Sequence, residues 1–156
     1  MAGEKYADKA VAKLAAYLAA QYPAQLRIVE TAQSLTTNSL TDPVAYVQAD
    51  LPDDGRSPLM EIWEESGDPI DRRNTLDAYD LTVAVTYAGD ADIAAGRLRM
   101  RRYMTALIDC LRADPTLSST VQLAFDKDRS FDVARGKDSA TKHVCALGVE
   151  VHVHDP

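Results

Sequence analysis

The last part of the chain holds the pattern that restricts its fold most. Cys145, Leu147, Val149, Val151 and Val153 alternate with Ala146, Gly148, Glu150, His152 and His154. Successive side chains of a strand point to opposite faces, so this order describes a long strand with one apolar and one mixed face. A slip of one residue would turn the whole apolar set towards water, so the register is tightly specified. Such a strand needs paired neighbours and a second layer to cover its apolar side.

Shorter stretches supply the neighbours. Leu81, Val83, Val85 and Tyr87 alternate with Thr82, Ala84 and Thr86 and end at Gly89. Val121, Leu123 and Phe125 alternate with Gln122 and Ala124, and after a charged turn at Asp126 to Arg129 the pattern resumes at Phe131 and Val133. Earlier, Val44 to Leu51 and Leu59 to Glu65 flank the cluster from Pro52 to Pro58, whose Pro, Asp, Gly and Ser content predicts a hairpin with a long tip. In the second of these strands Met60 and Ile62 face one way, and Glu61, Glu65 and Trp63 the other. Trp63 reads either as a half-buried packing residue or as an interface anchor.

Two helices supply the cover. From Glu4 to about Gln21 the apolar residues Ala7, Val11, Leu14, Tyr17 and Leu18 recur at three-and-four spacing. Pro23 is expected to end this helix, because proline pushes the preceding residue out of helical geometry, with Gln25 to Ala32 able to resume as a short second segment. A central helix is expected from Ala91 to Ala113, with Ile93, Met100, Met104, Leu107, Ile108 and Leu111 inward and Asp114-Pro115 as its stop. Asp90 and Asp92 suit capping of its N-terminus, where side-chain oxygens meet free amides. The order helix, three strands, helix, three strands predicts an α+β fold. Its sheet is expected to be mixed but largely antiparallel, with both helices on one face. Residues 1–156 form a single expected domain, with polar loops at about 66–78 and 135–142. A polar loop as long as 66–78 inside a domain is expected to be mobile or functional.

Composition bounds the function. With 46% hydrophobic residues the chain is globular, and its longest nearly apolar run, Leu14 to Ala20, falls far short of a membrane span. A net charge of −7 disfavours gripping nucleic acid over a whole face, which needs clustered cations to displace counterions. Cys110 and Cys145 lack CxxC spacing and sit among apolar neighbours, which suits buried free thiols better than a disulfide, and their pairing is left to the structure.

No phosphate-binding glycine loop, nucleophile elbow or HExxH pattern is present, and the carboxylates are scattered, so no catalytic constellation and no cofactor are expected. His152 and His154, two apart on one strand face, resemble half of a zinc site that Glu150 or His143 would have to complete. An exposed polar strand face accounts for the same residues. The most unusual local feature is Arg97, Arg99, Arg101 and Arg102 in the first half of the central helix of an acidic chain. Arg97 and Arg101 lie one turn apart and share a face. They read either as a solvated surface or as partners for acidic loops of a neighbouring subunit, since arginine's planar fork suits interfaces.

Taken together, the helix ending near Tyr22-Pro23, the hairpin strands, the polar arm Gly67 to Ala78, the strand Tyr79 to Val85, the helix Ala91 to Ala113 and the long C-terminal strand resemble the tail terminator proteins of long-tailed bacteriophages and the related neck and head-tail joining proteins. The resemblance covers nearly the whole chain and lies in element order, length and texture. It implies a non-enzymatic virion protein of the tail or neck, assembled in the host cytoplasm. Such a protein forms a ring, commonly of six copies, on the end of the tail tube, stops tube polymerisation and offers a surface to the head connector. Under this resemblance the polar loops carry subunit or tube contacts through Asp71, Arg72, Arg73, Arg135 and Lys137, joined by Trp63, Arg97 and Arg101. Six copies at −7 each would carry roughly −42 charges, and an acidic lumen would let DNA pass without sticking. Partners would be the tube protein and the connector or stopper. No motif separates a terminator from a head-completion or stopper protein. A small metal-dependent α+β enzyme using His152 and His154, and an adaptor using the arginine cluster on an acidic partner, are the rival classes.

Overall fold

The computed structural model describes the backbone of residues 2–48, 57–71, 76–89, 92–135 and 141–154, and the side chains of the same residues except 2–7, 67–71 and 134–135. Helix α1 spans Ala2–Ala32, followed by β1 (Ala45–Val47), β2 (Leu59–Asp71), β3 (Leu76–Ala88), helix α2 (Ile93–Ala113), β4 (Leu123–Arg135) and β5 (Thr141–His154). The strands form one sheet in the order β1-β2-β3-β5-β4. It is α+β with a mixed sheet, as the alternating patterns predict. Helix α1 packs over the β1–β2 side and α2 over the β5–β4 side, and the two helices pack on each other.

The sheet core follows from β5. Its residues alternate buried and half-buried from Thr141 to Val153, so Cys145, Leu147, Val149, Val151 and Val153 face the helices. Register places Val85 opposite Cys145, Val83 opposite Leu147, Leu81 opposite Val149 and Tyr79 opposite Val151. On the other flank of β3, Met60 and Ile62 stand opposite Val85 and Val83. Every one of these apolar side chains therefore lands on one face, each contributing about 1.5–3 kcal/mol on full burial for residues of Leu or Val size.

Helix α1 runs straight through Pro23 instead of ending there. Tyr22, Leu26 and Val29 continue the buried stripe begun by Leu14 and Leu18, and the Tyr22 hydroxyl donates to the Tyr103 carbonyl oxygen at 2.9 Å. Burial of three further large side chains outweighs a proline cost of about 3 kcal/mol. At the end of α1, buried Glu30 pairs with Arg27 at 2.8 Å and accepts from the amides of Asn38 and Leu40, which holds the loop after the helix against it.

The strand pairing departs from expectation in three places. Strand β1 pairs parallel to β2, with Ala45 opposite Leu59, so the two strands form no hairpin. The stretch 66–78, expected as a loop, is largely strand: Ser66, Gly67, Asp68 and Pro69 pair with Asp80, Tyr79, Ala78 and Asp77. Backbone pairing with β3, itself held by β5 to Leu76, orders residues that have few apolar side chains of their own. The expected turn at Asp126 to Arg129 is a bulge inside one continuous strand, where three steps along β4 oppose two along β5.

Asp92 caps α2, its carboxylate accepting from the Ala94 amide at 3.0 Å, whereas Asp90 lies outside the described residues. Ile93, expected inward, is 37% exposed. Tyr103, Ala106 and Cys110 join the buried stripe instead. Beyond α2, Leu117, Ser118 and Ser119 all have positive φ (49°, 61° and 63°), a left-handed turn that non-glycine residues rarely sustain. The Asp114 carboxylate holds it by accepting from the amides of Thr116 and Ser118 and the Thr116 hydroxyl, while the Leu117 side chain is buried. Cys110 and Cys145 are free and buried.

Candidate assembly surface

The face of the sheet turned away from the helices carries a chain of polar contacts across four strands. On β2, Glu65 accepts from the Trp63 indole at 2.6 Å and from the Thr82 hydroxyl of β3 at 3.0 Å. Ser66 donates to Asp80 at 3.1 Å. Lys127, lifted by the β4 bulge, reaches Asp80 at 3.1 Å and Glu150 of β5 at 3.3 Å. Glu150 also meets His152 at 2.8 Å, and the His152 ring stands edge-on to Phe125 at 5.7 Å between centroids. Between these residues Thr82, Ser130, Ala146 and Gly148 line a groove of about 370 Å³.

The electrostatics of this face are those of a fixed charge lattice. The hydrogen bond from Lys127 holds the Asp80 carboxyl below its ordinary range. Hydrogen bonding from His152, then from Lys127, does the same for Glu150. Those two carboxylates in turn push Lys127 up. Proton-transfer catalysis favours groups whose pKa lies near working pH, and these shifts move Asp80 and Glu150 away from it. The zinc reading also loses its geometry. His143 faces the helices from β5 while Glu150 and His152 face the opposite side, and no cluster of three metal-binding side chains occurs among the described residues.

The second surface is the outer side of α2. Its sequence carries Arg97, Arg99, Arg101, Arg102 and Arg112 against one acid, Asp109. Three of these arginines work within the molecule. Arg99 donates to the Ser39 carbonyl at 2.9 Å and stacks over Tyr87 at 4.6 Å from the ring centre. Arg102 donates to Gln33 at 2.7 Å, and Arg112 forks onto Asp126 at 3.1 and 3.0 Å. Arg97 and Arg101 are exposed.

Arg97 lines a pocket of about 160 Å³ together with Met100, Phe131, Asp132, Val133, His143 and Val144. Beside this pocket α2 comes very close to β5 at Gly96. A Cβ built there would lie 2.0 Å from the buried His143 ring. Phe131, on the outermost strand β4, is 42% exposed beside it.

The structure does not gather the expected site residues into one place. Trp63 lies on the polar face opposite Thr82, while Arg97 and Arg101 lie on the helix side over the far flank of the sheet. Asp71 ends β2 beside Leu76, which pairs with His154, whereas Arg135 pairs with Thr141, so these two strand ends sit at opposite ends of β5. The side chains of Asp71 and Arg135, and the whole of Arg72, Arg73 and Lys137, lie outside the described residues. Sequence reasoning missed the lattice built by Asp80, Lys127 and Glu150. Its only local signal was the charged stretch Asp126 to Arg129, which has the composition of a turn.

Among the described residues no helix is long and apolar enough to cross a membrane. No protein-family model and no curated protein matches the sequence. Among solved structures, a chain from the virion of a native gene transfer agent particle aligns over 82% of this chain and 93% of its own, with 15% sequence identity and a TM-score of 0.42. At that level of similarity the alignment carries no conclusion about role, which has to come from the residues themselves.

Proposed function

We propose that this chain is a structural virion protein of the tail-terminator kind. It closes into a ring, of six copies by the resemblance, on the end of a phage tail tube, stops tube growth and presents a surface for joining to the head. The observation that supports this reading best is the division of charge across the sheet. Strand β2, on one flank, carries Glu61, Glu64, Glu65, Asp68 and Asp71 and no lysine or arginine. Helix α2, over the other flank, carries five arginines and one aspartate. An acidic strand on one flank and the exposed Arg97 and Arg101 on the other favour head-to-tail contact between copies, and such contacts close into rings when the rotation allows.

The uncovered sheet face fits the same role. Its ion pairs and hydrogen bonds join four strands into a stiff plate, and Asp80 and Glu150 are held in the charged form, a setting that repels phosphate instead of binding it. The test is addition of purified protein to elongating tail tubes, with tube length read by negative-stain microscopy. Tubes that stop growing with a ring at one end support the reading. Tubes that elongate unchanged at saturating protein overturn it.

A further inference from the structure

We infer that the left-handed turn from Leu117 to Ser119 is a strained strap that keeps the start of the β4 edge covered in the free chain and opens when an extended segment at a tube end docks there. The trigger rests on the terminator reading, whereas the strain and the cover are properties of this chain alone.

The strain is concentrated in one place. Leu117, Ser118 and Ser119 hold φ of 49°, 61° and 63° in succession. Side chains disfavour this region because Cβ crowds the carbonyl oxygen that follows, and glycine alone enters it without cost. The segment from Pro115 to Val121 contains no glycine. Such backbone persists only where neighbouring contacts impose it, and it collects at switches and functional sites. Here the contacts centre on one carboxylate. Asp114 accepts from the Thr116 amide and hydroxyl at 3.1 and 2.7 Å through one oxygen, and from the Ser118 amide at 2.9 Å through the other. Leu117 and Val121 are buried as anchors, while Ser118, Ser119 and Thr120 are exposed. One carboxylate and two apolar anchors therefore hold shut a segment that its own backbone pushes open.

The strap covers part of a strand edge. Strand β4 is outermost in the sheet, and the unpaired side of an outer strand is a template for a further strand. Two of its amides are already taken. Val133 donates to the carboxylate of adjacent Asp132 at 2.9 Å, a cover that belongs to β4 and moves with it. Ala124 donates to the Pro115 carbonyl at 2.7 Å, and the two meet because the turn winds the residues between them into a compact loop. Unwinding that loop slackens the connection and releases the Ala124 amide. Leu123 and Phe125, 38% and 37% exposed, flank Ala124 and stand opposite His152 and Glu150, on the face that no helix covers. Release therefore presents a main-chain donor between two exposed apolar side chains. Strand addition uses that combination, with backbone bonds giving affinity and alternate side chains giving specificity.

The experiment is native-state hydrogen exchange on the full chain, resolved by residue. It compares wild type, a variant carrying both Ser118→Gly and Ser119→Gly, and Asp114→Asn. Circular dichroism melts confirm that each variant folds. In wild type the Val121 and Ala124 amides are expected to exchange together through a local opening, roughly tenfold or more faster than amides of the interior strand β5. The two glycines relieve the closed turn, so exchange of both amides should slow about tenfold after allowing for the freedom glycine gains in the open state. Asp114→Asn weakens the latch and should speed it about tenfold. In the tube-elongation assay the glycine variant should halt growth more slowly than wild type, and Asp114→Asn faster. Val121 and Ala124 amides that exchange only with the core, or that ignore the glycines, overturn the inference. A glycine variant that slows exchange yet halts tubes as fast as wild type overturns it as well. Wild type that halts tubes with either of those results keeps the terminator reading and removes only the strap. Wild type that leaves tubes growing removes the terminator reading, and the docking role of the strap falls with it.

Discussion

Replacing Gly96 by alanine tests the close approach that places Arg97 over the sheet. In an ordinary exposed helix this exchange stabilises by up to about 1 kcal/mol, because glycine loses more backbone freedom. Here the added methyl would lie 2.0, 2.1 and 2.5 Å from three atoms of the His143 ring. Ordinary van der Waals contact begins well above 3 Å, so helix or ring has to yield by roughly 1 Å or more. His143 is fully buried on β5, an interior strand, and borders the pocket lined by Arg97, so its ring yields at the cost of its present packing. Overpacking of this kind costs about 1–3 kcal/mol, which leaves a net loss of up to about 2 kcal/mol after the helical gain. For a chain of this size that lowers Tm by up to about 6 °C. The assay is urea and thermal denaturation followed by circular dichroism, run as a double-mutant cycle with His143→Ala. In the His143→Ala background the clash is gone, so Gly96→Ala should become stabilising and the sign of its effect should reverse. A Gly96→Ala protein that melts above wild type, or a cycle with no coupling, would refute the reasoning.

Two further predictions follow from the electrostatics. Burial pushes the Cys110 thiol up to about 11 and the Cys145 thiol up to about 12, so both stay protonated at mildly alkaline pH. An aromatic disulfide reagent should titrate no thiol rapidly in the native protein and both in denaturant, and fast native labelling would contradict the buried arrangement. On the polar face, Asp80 and Glu150 titrate below their ordinary values, so their stabilising contribution is present above the ordinary carboxylate range. It is lost as pH falls through the lowered values. Lys127→Met removes a cause of both shifts, so the loss of stability on acidification below about pH 4 should become shallower than in wild type. An unchanged pH slope would show that the lysine does not tie these strands together.

Of the candidate surfaces, the arginine cluster of α2 was legible in the sequence as a run of one charge on a helix. Helical spacing also set Arg97 and Arg101 on one face apart from Arg99 and Arg102, but the partners of the latter two were not legible. Arg99 and Arg102 are taken up by Ser39, Tyr87 and Gln33, residues distant along the chain, and no local pattern announces such partners. The pocket beside Arg97 was hidden, because Arg97, His143 and Phe131 reach it from three elements.

The sequence by itself determined the elements whose signal is a local period. The alternation in β5 and β3 and the apolar stripes of α1 and α2 follow from the geometry of one strand or one helix, which each segment carries wherever it sits. Tertiary structure decided what depends on a partner distant along the chain. Pro23 stays helical because Leu26 and Val29 have a core to enter, and residues 66–71 become strand because β3 offers them hydrogen bonds. The Lys127 bulge and the parallel pairing of β1 arise only when whole strands meet. Backbone donors and acceptors are alike in every residue but proline, so the choice among pairing partners is made by the assembled sheet.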